Sequence, residues 1–291
     1  MSLVIRPFRE SDKPEILEIA KHTWGGYDYL PNVLDEWARD ANRHIFVAEF
    51  RGRVVSFSAL RIIESGRTGW LEGLRVRRWY RRRGYARAMT RHLFDAGARL
   101  GVERLRLTTA SVNVGTRRLV QQFGMDELLR MKVFWRGDLG SVQWSYDLVP
   151  TVPCTVKDVL LLLKVKPEIF PKGIIAYNWY AFDAVRTSIE SLGGFGQFWM
   201  GKDNGNVRSL SFGYVLGDPG SKQWYSAVYA LDGEAFLSAL SVQLRAAKAN
   251  GATTIMCLHP VRFRRGKKLS WLKTSSETMG FVLYEKRRPF V

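Results

Sequence analysis

Cysteine is nearly missing from this chain: only Cys154 and Cys257 occur, far apart and in no CxxC pair. That excludes a disulfide framework and a cysteine zinc cluster. Histidine is scarce as well, with four scattered residues, so no metal is expected. Long hydrophobic runs are absent: the longest aliphatic stretch, Val159 to Leu163, is far too short to span a bilayer. No charged segment followed by an apolar one opens the chain. These absences predict a soluble, cytoplasmic protein that does not enter a membrane. Acidic residues are few, 27 against 45 Lys and Arg, for a net charge of +18. The excess creates a positive field that draws polyanions, and nucleic acid, an acidic membrane surface or a phosphorylated cofactor all fit it.

What is present is a folded composition, 46% hydrophobic and 25% charged over 291 residues, long enough for two domains with cores of their own. Asp12 and Glu15 have capping-box spacing ahead of the apolar face Ile16, Leu17, Ile19 and Ala20, predicting a helix to about His22. After the loop Trp24 to Pro31, Val33, Leu34, Trp37 and Ala38 mark a short amphipathic segment. Ile45 to Phe50 and Val54 to Ile63 flank Arg51-Gly52-Arg53 as a β-hairpin. Trp70 to Val76 reads as a buried strand, and Ala86, Met89, Leu93, Ala96 and Leu100 recur at helical spacing. Leu105 to Thr109 is a strand, Gly115 to Phe123 a helix and Met131 to Trp135 a strand.

From Gly137 to Pro153 the pattern weakens, and the boundary between a domain of 1–140 and one of 155–291 is placed there. Beyond it, Asp232-Gly233 opens a helix to about Asn250, followed by the strand Thr253 to Leu258 and by Gly280-Phe281. This order echoes residues 70–125, so an internal duplication is plausible on pattern alone, with almost no residue identity behind it. A basic cluster, Arg262, Arg264, Arg265, Lys267 and Lys268 with Phe263 and Trp271, reads as a charged loop in preference to a nucleic-acid contact.

The most informative stretch joins Leu71-Glu72-Gly73-Leu74-Arg75-Val76 to Arg81-Arg82-Arg83-Gly84-Tyr85-Ala86. Physically this is a strand, a basic loop and a helix start. A helix start carries unpaired N–H groups and partial positive charge, and glycine lets a pyrophosphate approach the backbone. The alternative is that three adjacent arginines form a solvated face, but the run sits where a phosphate cradle belongs.

Here the sequence resembles the GNAT superfamily of N-acetyltransferases, whose signature Q/R-x-x-G-x-G/A is met by Arg81, Gly84 and Ala86. Leu74 and Val76 precede the loop as in that family, and Asn113 follows the next strand. Gly124 comes later, with Met125 where Gly-Phe is usual. The resemblance covers residues 3 to 136. It implies an α/β fold (α+β, with a mixed sheet) splayed at its middle around acetyl-CoA; the echo of residues 70–125, in turn, makes the C-terminal half a candidate degenerate second domain of the same type, lacking the cofactor loop. Leu74, Arg75 and Val76 would lie along the acetyl and pantetheine groups. Arg81, Arg82, Arg83, Gly84, Tyr85 and Ala86 would bind the pyrophosphate, and Asn113 would hold the cofactor from the neighbouring strand.

Glu72 is the candidate general base. Amines are mostly protonated near neutral pH, with α-amino groups titrating at about 7.7 to 8, so a proton must leave before the nitrogen attacks a thioester. The alternative is a strand carboxylate paired with an arginine. The family often supplies a tyrosine acid seven residues after Asn113, where Val120 stands, which leaves the acid unassigned. No cysteine lies near the strand or loop, so direct transfer is expected.

Gly25-Gly26-Tyr27-Asp28-Tyr29-Leu30-Pro31, Asp40-x-Asn42-Arg43 and Glu72-Gly73-Leu74-Arg75-Val76 together resemble the histidine N-acetyltransferase group. That resemblance implies a small amino-acid-like acceptor, histidine first, with Tyr27, Asp28 and Tyr29 bordering its pocket. The loop would otherwise be a turn whose aromatics cap the core. Two rivals stand beside this reading: a protein or peptide N-terminal acetyltransferase, and a basic nucleic-acid-binding protein on a degenerate acetyltransferase fold.

Overall fold

The computed structural model describes residues 3–26, 28–142, 145–218, 220–260 and 279–290. By packing, the chain divides into two compact units. The first comprises Met1–Leu107, Leu119–Asp126 and Glu285–Val291, the second Thr108–Arg118 and Glu127–Tyr284. The stretch over 137–153, with its weak sequence pattern, lies inside the second unit, because Leu139, Val142 and Val149 are buried in that unit's core.

The first unit is built from β1 (Val4–Pro7), α1 (Lys13–Lys21), α2 (Leu30–Arg39), β2 (Arg43–Phe50), β3 (Arg53–Ile63), β4 (Thr68–Val76), α3 (Tyr85–Arg99) and the start of β5 (Arg104–Ala110). Strands run in the order β1-β2-β3-β4-β5, antiparallel except for the parallel pair β4 and β5. Arg51 and Gly52 take φ of 53° and 73°, the left-handed pair that a tight hairpin turn requires. One sheet face buries Ile16, Ile19, Leu30, Leu34 and Trp37 of α1 and α2 against Ile45, Val47 and Phe57. Met89 of α3 packs with Ala48 and Val55 in a separate cluster.

The capping box expected from Asp12 and Glu15 does not form. Asp12 accepts from Arg9 N–H at 2.8 Å and from two nitrogens of Arg6 at 2.8 Å each, while Glu15 accepts from Arg77 Nη2 at 2.7 Å. Two-pronged bonds between charged groups are the stronger option.

Two irregularities in the sheet prepare the site. β4 keeps register with β5 only from Thr68/Arg104 to Trp70/Arg106 among the described residues, although β4 continues to Val76. The paired end is clamped: Arg104 Nε donates to Thr68 Oγ1 at 2.7 Å and its Nη2 to Glu64 at 2.8 Å, while buried Arg106 bonds Glu285 at 2.7 Å. On the β3 side the register shifts, so that Phe57 opposes Arg75 but Ala59 opposes Glu72. One extra residue on β4 makes a bulge, and Gly73 occupies it at φ 71°. A Cβ there would stand 2.8 Å from the Trp37 ring, so both conformation and space require glycine.

The remaining elements are α4 (Val114–Gln122), β6 (Asp126–Arg136), β7 (Thr151–Cys154), α5 (Val156–Val165), β8 (Ile174–Tyr177), β9 (Tyr180–Asp183), α6 (Arg186–Gly193), β10 (Gln197–Asp203), β11 (Asn206–Leu216), β12 (Gln223–Ala230), α7 (Gly233–Ala249), β13 (Thr254–Pro260) and β14 (Gly280–Arg287). In the second unit the strand order is β14-β6-β13-β12-β11-β10-β7, with β8 and β9 a separate hairpin. The antiparallel run β10-β11-β12, then α7 and the parallel strand β13, repeats the run β2-β3-β4, α3 and β5. The repeated chain order seen in the sequence is thus a repeated topology. No helix among the described residues is long and apolar enough to cross a membrane.

Candidate active site

β4 leads through a 3-10 turn, Arg78–Tyr80, into Arg81 and then α3. Arg81 Nε donates to Val76 O at 3.1 Å and its Nη2 to His22 O at 3.4 Å, which folds the loop back onto the strand end. Arg82 is left-handed at φ 62° and Gly84 at φ 81°. The first bond into the helix runs from Ala88 N–H to Gly84 O at 2.9 Å, so the preceding N–H groups, Tyr85 and Ala86 among them, have no intrahelical acceptor. A Cβ at Gly84 would meet nothing within 4 Å; the space over the helix start is open to a ligand. Arg81, Arg82 and Arg83 are all exposed around it. Tyr85 packs with Phe50 and Tyr80 at ring distances of 5.9 and 6.2 Å, and Arg83 lies over Tyr80. An anionic group such as a pyrophosphate fits this loop, because donors, positive charge and free space coincide.

On the bulged part of β4, Ser58 Oγ donates to Glu72 O at 2.9 Å and Ser56 Oγ to Arg75 O at 2.7 Å, tying the bulge to β3. Leu74 and Val76 are half-buried on the stretch that has left the β5 register. The Glu72 side chain is 8% exposed, and its Oε1 accepts from Arg43 Nε at 2.7 Å. Burial pushes the Glu72 carboxyl above the usual carboxylate range, with the Arg43 charge pulling the other way. The result is a carboxylate poised nearer neutrality, as a proton acceptor requires.

The loop before α2 borders this carboxylate. Asp28 is buried, and its oxygens accept from Arg75 Nε at 2.7 Å and Nη2 at 3.0 Å, while Oδ1 also receives Leu30 N–H at 3.1 Å. Both oxygens are therefore engaged within the protein, and Asp28 anchors the loop to β4. Arg75 turns its side chain to that anchor and under the Tyr29 ring, 5.3 Å away, so that side chain is committed within the protein and is not turned to the role expected of it along the cofactor. Tyr29 packs on Trp37 at 6.0 Å. Tyr27 lies outside the described residues, as does the basic cluster from Arg262 to Lys268.

Asn113 belongs to the segment grouped with the second unit, where its Oδ1 accepts from Thr116 N–H at 3.3 Å and starts α4. Val120 is buried at 2% exposure, consistent with a packing role where the family carries an acid. In the second unit the start of α7 is taken: Asp232 Oδ1 accepts from Ala235 N–H and its Oδ2 from Arg208 Nε, both at 2.9 Å. An acidic side chain already on that helix end repels a phosphate. β12 also keeps register with β13 from Gln223/Thr254 to Ala227/Leu258, a longer pairing than that of β4 with β5. Among the described residues no three His, Cys, Asp or Glu are grouped to hold a metal ion.

Sequence reasoning missed two contributors to the site. Arg43 and Trp37 flank Glu72, with the guanidinium 4.5 Å from the centre of the Trp37 ring. Arg43 opens a strand after Asp40 and Asn42 and belongs to the motif shared with the histidine N-acetyltransferase group, but nothing in that motif marks its inward turn onto Glu72.

Residues 11–125 match the family model described as Acetyltransferase (GNAT) family. Among curated relatives, the human protein named Probable N-acetyltransferase 16 is 26% identical over 220 residues, 69% of this chain and 59% of the relative. A histidine N-acetyltransferase from Xenopus tropicalis is 28% identical over 200 residues, 60% of this chain and 58% of the relative. These matches span less than two thirds of the relatives' own length. Among solved structures, a tandem GNAT protein from the clavulanic acid biosynthesis pathway aligns over 98% of both chains at 14% identity and a TM-score of 0.56. A GCN5-related N-acetyltransferase from Anabaena variabilis aligns over 98% of this chain and 73% of its own at 11% identity and a TM-score of 0.51. At such identities the structural matches establish the fold alone, and the first of them does so for the full length.

Proposed function

We propose that the chain, whose residues 11–125 match the GNAT acetyltransferase family model, transfers the acetyl group of acetyl-CoA directly to the primary amine of a small amino-acid-like acceptor, histidine first among candidates. The observation that carries this reading is the juxtaposition of an open, arginine-ringed helix start with a buried carboxylate on the same bulged strand. Acetyl-CoA, when bound, supplies an acyl carbon activated by its thioester.

The N–H groups around Gly84 to Ala86 and the Arg81 to Arg83 charges would hold the pyrophosphate. The bulge would turn the backbone of Leu74 and Val76 toward the pantetheine and acetyl groups. Glu72 would accept the proton of the acceptor's ammonium group, directly or through water. The C–N bond then forms as the C–S bond breaks, the nitrogen sheds its second surplus proton to solvent as it becomes an amide, and the departing thiolate, a tolerable leaving group because thiols titrate near about 8.5, takes a proton from solvent. An acetylated cysteine has no support: burial raises both Cys154 and Cys257 to about 12, so neither is a thiolate at neutral pH.

Similarity to the Xenopus histidine N-acetyltransferase favours a free amino acid as acceptor. An α-amine also titrates about two units below a lysine side chain, so one carboxylate deprotonates it at lower cost. The test is a screen of free amino acids and short peptides with acetyl-CoA, read by thiol release. Histidine should lead the free amino acids. Turnover of peptides with none of any free amino acid would replace this acceptor with a protein N-terminus, and absence of all turnover beside tight nucleic-acid binding would favour the non-enzymatic rival.

A further inference from the structure

Arg43 has no part in the cofactor cradle, yet it is among the most deeply placed charges beside the site. Its side chain is 2% exposed, its Nε donates to Glu72 Oε1 at 2.7 Å, and its Nη1 stands 3.3 Å from Asp40 Oδ2. The same guanidinium lies over the Trp37 ring, which in turn stacks on Phe57 at 6.4 Å and presses on the bulge at Gly73. Arg61 Nε shares Asp40 Oδ2 at 3.3 Å. No hydrogen bond reaches Glu72 Oε2 among the described residues, so the carboxylate is held by one oxygen and keeps the other to work with.

We propose that Arg43 is a positioning residue for the base: it clamps one oxygen of Glu72, leaves the second for the acceptor's proton, and sets an opposite charge beside a buried carboxylate. This rests on Glu72 being the base. A rigid planar fork over an aromatic ring fixes direction as well as charge, which a lysine would not reproduce. The groups that act on Glu72 are Arg43 from β2, Asp40 at the end of α2 and Arg61 from β3, with Tyr29 also within electrostatic reach. Arg43 and Arg61 favour the ionised carboxylate, Asp40 and burial oppose it. The sign of each outer substitution is therefore fixed in advance.

The experiment is the pH dependence of kcat at saturating acetyl-CoA and one fixed acceptor, so that the acceptor's own titration is common to all variants. Arg43→Gln should move the acidic limb upward by about one pH unit or more. Arg43→Lys should hold the limb near the parent's while lowering kcat, since charge returns without the geometry. Asp40→Asn, at a partly exposed position, should move the limb downward. Limbs of Arg43→Gln and Asp40→Asn that both stay at the parent's pH, or that move in the same direction, overturn the proposal. If Arg43→Gln does not fold, Asp40→Asn decides alone: a downward shift supports it and an unmoved limb sinks it. Glu72→Gln separates the layers, because a parent-like rate in that variant rejects the base itself, whereas a crippled Glu72→Gln beside an unmoved Arg43→Gln limb rejects only the role of Arg43.

Discussion

At the scale of single residues, burial decides what each charge can do. Glu72 could be picked out in the sequence as a carboxylate between Leu71 and Gly73, but its oxygen's partner lies 29 positions away in Arg43, and nothing local to Glu72 announces that. Glu72→Gln keeps the shape and removes the base, so kcat should fall by about 100-fold or more with acetyl-CoA affinity unchanged. The carboxyl sits above its usual range, and it must be ionised to accept a proton, so the parent's rate should fall as pH drops through that raised value. In Glu72→Gln the deficit should narrow above pH 8, where free amine is already abundant. Steady-state kinetics across pH check both, and an undiminished kcat at neutral pH would reduce Glu72 to an ion-pair residue. Asp28 shows the opposite outcome. Read in the sequence as bordering the acceptor's pocket, and so as a contact for it, Asp28 is bound through both oxygens to Arg75. Asp28→Ala strands a buried guanidinium, which costs about 3 to 5 kcal/mol. Its melting temperature should drop sharply, and activity toward every amine should fall together; a loss confined to histidine would restore the contact role.

At the scale of elements, hydrophobic periodicity carried well. The hairpin of β2 and β3, the strand β4, the helices α3 and α7 and the strand β13 all appear where apolar spacing and glycine punctuation predict them, within a residue or two at the ends. What periodicity cannot report is register. The bulge at Gly73 breaks the two-residue alternation of β4 and turns the chain where the site needs it, yet in the sequence it is one glycine in a strand. Gly73→Ala tests its importance. Holding alanine at positive φ costs about 1 to 2 kcal/mol, and the new Cβ must also displace Trp37. The variant should lose that much stability and, because the bulge aims Glu72 and the backbone of Leu74, should lose a larger share of kcat/KM. Thermal melts and steady-state assays side by side would show it; parent-like catalysis would mean that the bulge only packs. Asp12 illustrates the other limit of local reading: its spacing to Glu15 is that of a cap, but Arg6 on the preceding strand claims Asp12, and Arg77, 62 positions away, claims Glu15.

At the scale of the whole molecule, the net charge of +18 separates into two populations. Arg43, Arg75, Arg104 and Arg106 are buried among carboxylates, whereas Arg81, Arg82 and Arg83 stand exposed around a helix start. Only the second kind is exposed to meet an anion. The repeated chain order was legible without residue identity, because topology repeats where side chains have diverged, but the fate of the second helix start was only half legible: the missing R-x-x-G-x-A loop was visible, the Asp232 and Arg208 pair that occupies the position was not. The chain should therefore carry one cofactor site, built around Gly84. Calorimetric titration of acetyl-CoA into the parent and into Gly84→Val, with folding of both verified by thermal melts, tests this most directly. One site per chain in the parent and none detectable in the variant is the expected result. No binding to the parent, two sites per chain, or undiminished binding to folded Gly84→Val would contradict it.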